Sequence, residues 1–371
     1  MKAGWEVKRL GEIYDVRDGT HDSPKYQAIG YPLITSKNLK REGLSFENIQ
    51  FISDIDYKKI NVRSAVHKGD VLFAMIGTIG NPTEVKIEPS FAIKNVALFK
   101  IPSEQSGSFL RHYLDSEEVI SKMMKEARGT TQKFVGLGYL RNFPIKVPYL
   151  TEQQRIVAIL DQAFEGIAKA RANAEQNLKN ARALFESHLQ SVFTQRGDGW
   201  TEKRFDQVCV LQRGFDLPTQ SRTQGKYPLV TSNGITDTHH EAKVQGPGVV
   251  TGRSGSIGNV FFVEDDFWPL NTALYIKNFH GNDPKFIHIF LQYFDLKRFA
   301  TGTGVPTLNR NFVHSEKIVT PDSIKEQKAI VKKIDALLKE TQRLQAVYQR
   351  KIALLDELKK SLLQQAFAGK L

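Results

Sequence analysis

Two kinds of hydrophobic pattern alternate along the chain, and each kind occurs twice. Residues 1–150 and 198–321 contain short apolar runs, such as 71–76, that glycine, proline, asparagine and aspartate separate. Runs of this kind are typical of strands joined by turns. Residues 151–197 and 322–371 instead space their apolar positions by three and four, which is typical of long amphipathic helices. The pattern therefore predicts an α+β protein with two mixed α/β domains, each followed by a long helix.

The two halves also repeat one another in sequence. Three short segments of the first half return in the second: 31–36 as 227–232, 77–81 as 255–259, and 95–98 as 271–274. Pro32 and Pro228 lie 196 residues apart (228 − 32), whereas Gln153 and Gln327 lie 174 apart (327 − 153). Loops tolerate changes of length, but an inserted residue turns a helix face by about 100°. The duplication therefore predicts one fold used twice, with loops that changed independently and helices that kept their register.

Each predicted helix carries an apolar seam of the kind that joins helices into coiled coils. The seam positions are Ile156, Leu160, Ala163, Ile167, Ala170 and Ala174, continuing through Asn177, Ala181, Leu184 and His188, and in the second helix Ile330, Ile334, Leu337, Leu344, Tyr348 and Leu355, continuing through Leu358. One seam is rich in alanine and the other in larger side chains, so we expect the helices to pack on each other, antiparallel. Two alternatives stay open: the helices cover the domains, or they mediate homodimerisation.

Composition adds an argument about partners. The 371 residues carry a formal net charge of +12 and a pI near 9.5. A basic surplus favours an acidic partner, nucleic acid first and an anionic membrane surface second. No apolar run approaches the roughly 20 residues of a membrane span, and the first ten lack the apolar core of a signal peptide. We therefore expect a cytoplasmic protein without a membrane partner. Cys209, the single cysteine, excludes an intrachain disulfide and a cysteine-rich zinc cluster.

Sequence signatures of catalysis are missing. The glycine-rich segment 252–258 lacks the lysine and the spacing of a phosphate-binding loop, and no Asn/Asp-Pro-Pro-Tyr/Phe tetrapeptide of amino-methyltransferases occurs. His239, His240 and Glu241 resemble metal ligands, but no second ligand pair stands at a suitable spacing, which favours a polar loop. We expect no catalytic site, no cofactor and no metal in this chain.

Polar and basic residues recur at equivalent places in the two halves and form the candidate DNA contacts. They follow the repeated Tyr-Pro-Leu strand, flank the glycine turns, or precede the first strand of each repeat. The candidates are Arg17, His21, Lys37, Asn38 and Lys133 in the first half, and Arg213, Ser232, Asn233, Arg253, Ser254 and Arg310 in the second. Hydroxyl, amide and cationic groups suit both phosphates and base edges. The alternative is that the glycines only allow tight hairpins and the charges only face solvent.

The ordered set of motifs resembles the specificity (S) subunit of type I restriction–modification enzymes. The resemblance rests on the openings at 4–13 and 199–205, on the Pro-x-x-x-Glu-Gln-type helix starts at 148–153 and 321–327, and on the closing segment at 362–371. It implies two target-recognition domains, each of which binds one half of a split, asymmetric DNA sequence. It also implies that the helices act as a spacer and dock two methyltransferase subunits, with restriction/translocase subunits joining for cleavage.

Two other functions compete with this interpretation. One is a catalytic nuclease or methyltransferase, which the missing motifs oppose. The other is an architectural adaptor that binds DNA or RNA without sequence preference, by charge and shape alone. Competition by unrelated duplex at fixed salt separates the adaptor from a specificity subunit, because phosphate contacts dominate nonspecific affinity.

Overall fold

The computed structural model describes residues 4–40, 43–302 and 305–371. The elements of the first repeat are β1 (Trp5–Arg9), α1 (Leu10–Ile13), β2 (Asp15–Asp18), β3 (Tyr31–Ile34), β4 (Leu39–Lys40), β5 (Gly43–Leu44), β6 (Gln50–Ile52), α2 (Asp54–Ser64), β7 (Val71–Ala74), β8 (Gly80–Glu84), β9 (Ala92–Ile93), β10 (Val96–Lys100), α3 (Gly107–Leu114), α4 (Glu117–Glu126), α5 (Leu137–Asn142) and β11 (Pro144–Pro148), followed by the long helix α6 (Leu150–Thr194).

The second repeat follows the same plan. Its elements are β12 (Trp200–Arg204), α7 (Phe205–Val208), β13 (Val210–Arg213), β14 (Tyr227–Thr231), β15 (Gly234–His239), β16 (Gly248–Gly252), β17 (Val260–Val263), β18 (Trp268–Pro269), β19 (Ala273–Asn278), α8 (Pro284–Tyr293), β20 (Ala300–Thr301), β21 (Thr307–Leu308), α9 (Arg310–Ser315) and β22 (Lys317–Pro321), followed by the long helix α10 (Ile324–Phe367). Short 3₁₀ turns lie at Ser36–Asn38, Thr219–Ser221 and Leu296–Phe299.

Three sheets of each repeat have the same topology, whereas the two-stranded pairs β4-β5 and β20-β21 each belong to one repeat. A four-stranded sheet has the order β2-β10-β7-β8 in the first repeat and β13-β19-β16-β17 in the second. A three-stranded sheet has the order β6-β3-β9 and β15-β14-β18, with one antiparallel and one parallel pairing each. An antiparallel ribbon pairs the first strand with the last, β1 with β11 and β12 with β22. The predicted duplication of one mixed α/β fold is thereby confirmed.

The chain folds into two structural units that do not follow the order of the sequence. The first comprises the residues up to Glu175 together with Arg350–Leu371, and the second comprises Gln176–Gln349. Each unit therefore holds one globular repeat, one part of α6 and one part of α10.

The cores show why both helices are needed in each unit. In the first unit, Ile156 and Leu160 of α6 share a buried cluster with Leu363, Ala366 and Phe367 near the end of α10. In the second unit the pairing is the reverse: Phe193, near the end of α6, shares a buried cluster with Val331 and Ile334 near the start of α10. The start of one helix meets the end of the other in both cases. The antiparallel arrangement is thus confirmed.

The seam follows the prediction along part of each helix and then shifts. All twelve principal seam positions are buried or partly buried. Leu184 and Leu358, which the strict spacing places in the seam, are instead 63% and 47% exposed, and their neighbours Phe185 and Lys359 are partly covered. An α-helix has about 3.6 residues per turn, so a seam of period 3.5 drifts around it by about 20° per heptad. The strict extension was wrong at these two positions, which are equivalent in the repeat, and at Asn177, which is exposed as well.

A buried glutamine fastens the start of each long helix to its globular repeat. Gln153 donates its amide to the Pro148 carbonyl (2.8 Å) and to Gln105 Oε1 (2.9 Å), and its own Oε1 accepts from the Ser106 backbone N–H (3.0 Å). Since Ser106 caps α3, one side chain joins a strand end, a helix start and α6.

Gln327 repeats this arrangement in the second unit. Its amide donates to the Pro321 carbonyl (3.0 Å) and to Asn282 Oδ1 (2.6 Å), and its Oε1 accepts from the Asp283 backbone N–H (2.8 Å). Both glutamines are fully buried. Buried polar groups of this kind stabilise a fold only when they are paired, and here every partner is supplied by the same repeat.

Candidate nucleic-acid interface

A polar cleft of about 820 Å³ opens on the first unit. It lies where the loops after β3, β7 and β9 meet, and it is lined mainly by hydroxyl, amide and ammonium groups, with one carboxylate, that of Glu47. Its polar lining includes Thr35, Ser36, Lys37, Asn38, Lys40, Asn48, Gln50, Thr78, Asn81, Lys94, Asn95 and Gln132. Groups of this type provide both the charge that attracts phosphates and the donors and acceptors that distinguish base edges.

Two predicted contacts, Lys37 and Asn38, lie in this cleft but differ in role. Lys37 is exposed, and among the described residues its ammonium has no recorded ion-pair partner. Asn38 is buried: its Oδ1 accepts from the Thr35 N–H and hydroxyl (2.9 Å each), and its amide donates to the Ser45 carbonyl (3.1 Å). The amide of Asn38 shapes the loop, so we keep only Lys37 as a candidate for contact with DNA.

The predicted glycine turn and Lys133 lie together. The Gly77 N–H donates to the Lys133 carbonyl (2.8 Å), so this N–H is already occupied within the described residues. Lys133 itself is exposed, and the neighbouring Gln132 enters the cleft. The turn therefore positions the 129–134 loop beside the cleft, and side chains, more than the Gly77 backbone, face a ligand there.

Arg17 lies in β2, an edge strand of the four-stranded sheet of the first unit, and His21 follows that strand. Arg17 is paired with Asp15 (2.6 Å) and donates to the Arg63 carbonyl (3.0 Å), so its charge is largely balanced. His21 bonds Asn95 through Nδ1 (2.7 Å) and the buried Asp18 through Nε2 (2.8 Å). Those two hydrogen bonds raise the pKa of His21.

Three candidates in the second unit, Arg253, Ser254 and Arg310, contact neighbouring segments of the same unit. Arg253 donates to the Asn271 carbonyl (3.0 Å), and its own carbonyl accepts from the Leu308 N–H (2.7 Å). Ser254 follows it and bridges to Thr307. Arg310 donates to Gln212 Oε1 (2.6 Å). Within the described ranges neither arginine has a recorded carboxylate partner, so both keep charge for a polyanion.

The remaining candidates of the second unit are more committed. Arg213 binds both carboxylate oxygens of Asp216, at 2.9 and 3.1 Å. Ser232 is buried. Asn233 is exposed, and its Oδ1 accepts from the Ser256 hydroxyl. Of these three, the amide of Asn233 is the group best placed to meet a ligand.

Reasoning from the sequence missed two asparagines. Asn95 lines the cleft of the first unit, and Asn271 contacts Arg253 in the second. Both belong to the repeated segment 95–98 and 271–274, where a polar residue precedes a buried strand in both copies. The same polar residue occurs just before the repeated strand in both copies, and this recurrence could have identified the two asparagines.

The three residues that resemble metal ligands lie apart in sequence from the candidate DNA contacts. The ligand atoms of His239, His240 and Glu241 lie within 4.8 Å of one another. His239 is buried against Trp268 and bonds the Thr223 backbone through Nδ1, while the Lys243 ammonium is 2.6 Å from Glu241. An ammonium beside the carboxylate opposes a bound cation, so we propose no metal here.

No helix in the described ranges is both long and apolar enough to span a membrane.

Comparison with known proteins now identifies the family. A family model for the type I restriction modification DNA specificity domain matches residues 2–178 and 197–352. The chain belongs to this family. It is therefore a DNA specificity subunit of the type I restriction–modification class, as its motifs predicted.

Solved structures agree with this fold along the whole chain. One is a chain from a structural study of complex assembly and conformational transition of the type I R-M system, with a TM-score of 0.80 and 18% identity over 100% of this chain and 99% of that chain. Another is the HsdS subunit from Thermoanaerobacter tengcongensis, with a TM-score of 0.67 and 20% identity over 100% of this chain and 98% of that chain. The similarity confirms the fold of two repeated domains and two long helices.

Proposed function

We propose that each unit of this specificity subunit binds one half of a bipartite, asymmetric DNA target. The observation that carries the proposal is that one scaffold appears twice with different side chains at its equivalent loops. After the Tyr-Pro-Leu strand the first repeat has Thr-Ser-Lys-Asn at 35–38, and the second has Thr-Ser-Asn-Gly at 231–234. Repetition supports two half-sites, and different donors and acceptors support different sequences in each.

Exchange of one globular repeat tests this proposal. Residues 1–150 would be replaced by the corresponding repeat of another family member, and the methylated sequence would be mapped in cells that carry the matching methyltransferase. We expect one half of the sequence to change and the other to stay. A matched exchange of residues 198–321 serves as the reciprocal control. A change in both halves, or in neither, contradicts the proposal.

The same proposal assigns the helices the role of a spacer. Seven residues inserted into both helices, near Asn177 and near Arg350, keep the phase of a heptad seam and add about 10 Å at 1.5 Å per residue. At about 3.4 Å per base pair this is close to three base pairs. We expect the unspecified gap between half-sites to lengthen by that amount. An unchanged gap in the methylation map counts against the spacer.

We further propose that catalysis belongs to partner subunits in the cytoplasm. Support comes from the missing catalytic motifs and from the fold shared with a chain of a type I R-M assembly. The expected assembly has two methyltransferase subunits on one chain, with restriction/translocase subunits joining for cleavage. The purified chain alone should not transfer methyl groups, and native mass spectrometry should find two methyltransferase subunits bound. Methyl transfer by the chain alone, or a single bound copy, contradicts this assignment.

A further inference from the structure

Two asparagines at equivalent positions are held in opposite orientations by their hydrogen bonds. Asn95 directly precedes β10, and Asn271 stands two residues before β19, in the repeated Asn-x-Ala-Leu segments. The register supports the equivalence, since Leu98 pairs with Arg17 and Leu274 pairs with Arg213. Each repeat thus places an asparagine at the same point of its four-stranded sheet.

A histidine sets the orientation of Asn95 in the first unit. The buried Asp18 carboxylate pairs with Arg63 through one oxygen and with His21 Nε2 (2.8 Å) through the other. An ionised carboxylate only accepts hydrogen bonds, so His21 Nε2 carries a proton. The atom of Asn95 that faces Nδ1 is Oδ1, and an amide oxygen cannot donate, so Nδ1 carries a proton as well. The same two hydrogen bonds raise the pKa of His21, in agreement with this geometry. Asn95 Oδ1, 2.7 Å from His21 Nδ1, is then the acceptor.

The consequence is that Asn95 offers a donor to the cleft. Its carbonyl oxygen is occupied by His21, and among the described residues its Nδ2 has no recorded partner. An amide held in one orientation presents either its NH₂ or its oxygen, whereas a free amide rotates and pairs with an acceptor or with a donor.

The second unit reverses this orientation. In the second repeat Phe215 follows Gly214, whereas in the first repeat His21 lies two residues after Gly19. No imidazole therefore lies between the carboxylate and the asparagine amide of the second unit. Asp216 accepts directly from Asn271 Nδ2 and is itself held by Arg213. A carboxylate cannot donate, so the amide nitrogen must face it. Asn271 Oδ1, which has no recorded partner within the described ranges, is left as an acceptor.

We propose that Asn95 and Asn271 are specificity-determining residues of opposite polarity. Asn95 donates to an acceptor on a base edge of the first half-site, such as a purine N7 or a thymine O4. Asn271 accepts from a base amino group of the second, adenine N6 or cytosine N4, because DNA phosphates carry no donor. The inference rests on the proposed function and adds a physical origin for an asymmetric target.

Two substitutions at position 95 test the first unit. Asn95→Asp keeps an oxygen for His21 and replaces the outward NH₂ by an acceptor. Asn95→Gly removes the side chain and tolerates the positive φ of 54° found there. Asn48→Asp is the matched control, since Asn48 lines the same cleft at the same φ of 54° and gains the same charge.

The assay is competition binding of the full chain with its methyltransferase subunits, at fixed salt. The competitors are duplexes with the mapped target sequence and its single-base-pair variants. We expect Asn95→Asp and Asn95→Gly to lose about 10- to 100-fold in affinity beyond the control, and the loss to track one base pair of the first half-site. Wild-type discrimination in both variants overturns the inference. A loss that is equal on all sequences also overturns it, because it marks a phosphate contact.

A charge-neutral exchange tests the second unit. Asn271→Ala removes the outward acceptor, and we expect a loss of about 10- to 100-fold in discrimination at one base pair of the second half-site. The double variant Asn271→Asp with Asp216→Asn reverses the inner hydrogen bond but keeps an oxygen outward. We expect it to retain the discrimination that Asn271→Ala loses. Equal loss in both variants, or none in Asn271→Ala, refutes the role of Asn271.

The outcomes separate this inference from the function beneath it. A wild-type complex without any sequence preference defeats the proposed function. A wild-type complex with a preference that every variant keeps defeats only the assignment of the two asparagines.

Discussion

The buried glutamine at the start of α6 offers a direct test of how the long helix is fastened to the first repeat. Gln153 makes three hydrogen bonds of 2.8 to 3.0 Å and is 0% exposed. Gln153→Met keeps the length and approximate volume of the side chain but removes both its donor and its acceptor. The Ser106 N–H and the Pro148 carbonyl then lose a partner that water does not readily replace.

The expected cost follows from those lost partners. Leaving a buried donor or acceptor unpaired costs about 1–3 kcal/mol each, and about 1.5 kcal/mol at each of the two backbone groups gives a loss of about 3 kcal/mol. Domains are typically stable by about 5–15 kcal/mol, so this is a large fraction of the stability of one unit. In urea, with a slope of about 1–3 kcal/mol per molar, the unfolding midpoint should fall by about 1–3 M.

Tryptophan fluorescence isolates the unit concerned. Trp5 lies in the buried core of the first unit, whereas Trp200 and Trp268 belong to the second. A background with the latter two changed to phenylalanine reports on the first unit by Trp5 emission. Gln154→Met, at the exposed neighbouring position, is the matched control. If Gln153→Met and Gln154→Met unfold at the same urea concentration, the fastening role of Gln153 is refuted.

Three further predictions use other features of the chain. Arg253→Ala should weaken target binding about tenfold, whereas Arg17→Ala, which removes a charge already paired with a carboxylate, should change it little; equal effects in a titration at fixed salt would contradict the charge argument. Burial lowers the pKa of His314, whose Nε2 accepts from the Leu211 N–H (2.9 Å), so its contribution to the stability of the second unit should be full above the ordinary pKa of 6.5 and fall as pH drops through the lowered folded value. His314→Gln should reduce that dependence in thermal melts from pH 8 to 5, and the remainder belongs in part to His288, whose pKa burial also lowers; an unchanged dependence would contradict the role of His314. Leu184→Ser should alter unfolding by less than about 0.5 kcal/mol, because its side chain is 63% exposed, and a larger loss would restore it to the seam.

Much of the architecture could be predicted because the same sequence pattern occurs in both halves of the chain. Alternation of short apolar runs with long periodic stretches separates sheets from helices, and repetition of both patterns predicts the duplicated fold. The strand expected at 71–76 is present at Val71–Ala74, and all four of its residues are buried. Apolar character beyond Ala74 could not show where the strand ends, because a buried turn requires the same side chains as a buried strand.

The seam shows where a periodic pattern loses accuracy. Spacings of three and four predict which residues meet as long as helix and pattern stay in phase, and the first six positions of each seam did so. Further along, the accumulated rotation of the helix decides whether Leu184 or Phe185 lies in the seam. Both residues are apolar, so the sequence pattern fits either one equally well. Only packing decides between two neighbouring apolar positions.

The candidate site was predictable in place but not in detail. The loops after the repeated strands carry the polar groups, as expected for binding residues held on a rigid scaffold. Lys37 and Asn38 are adjacent polar residues, yet their side chains differ in role. The Asn38 amide makes hydrogen bonds within its own loop, whereas the Lys37 ammonium is exposed. Sequence cannot divide such a pair, because the division depends on which backbone groups of the folded loop lack a partner.

The asparagines show how this scaffold can change specificity without changing fold. Gly19 and Gly214 are fixed by close approach, since a Cβ would lie 2.2 Å from the Ile93 carbonyl oxygen and 2.3 Å from the Leu270 carbonyl oxygen. The backbone is therefore held in both repeats, and variation moves to the flanking positions. An acid before the glycine acts on the asparagine through a histidine, whereas an acid after it acts directly. Moving one carboxylate across a fixed glycine thus reverses the group that the asparagine presents, at no cost to the sheet that carries it.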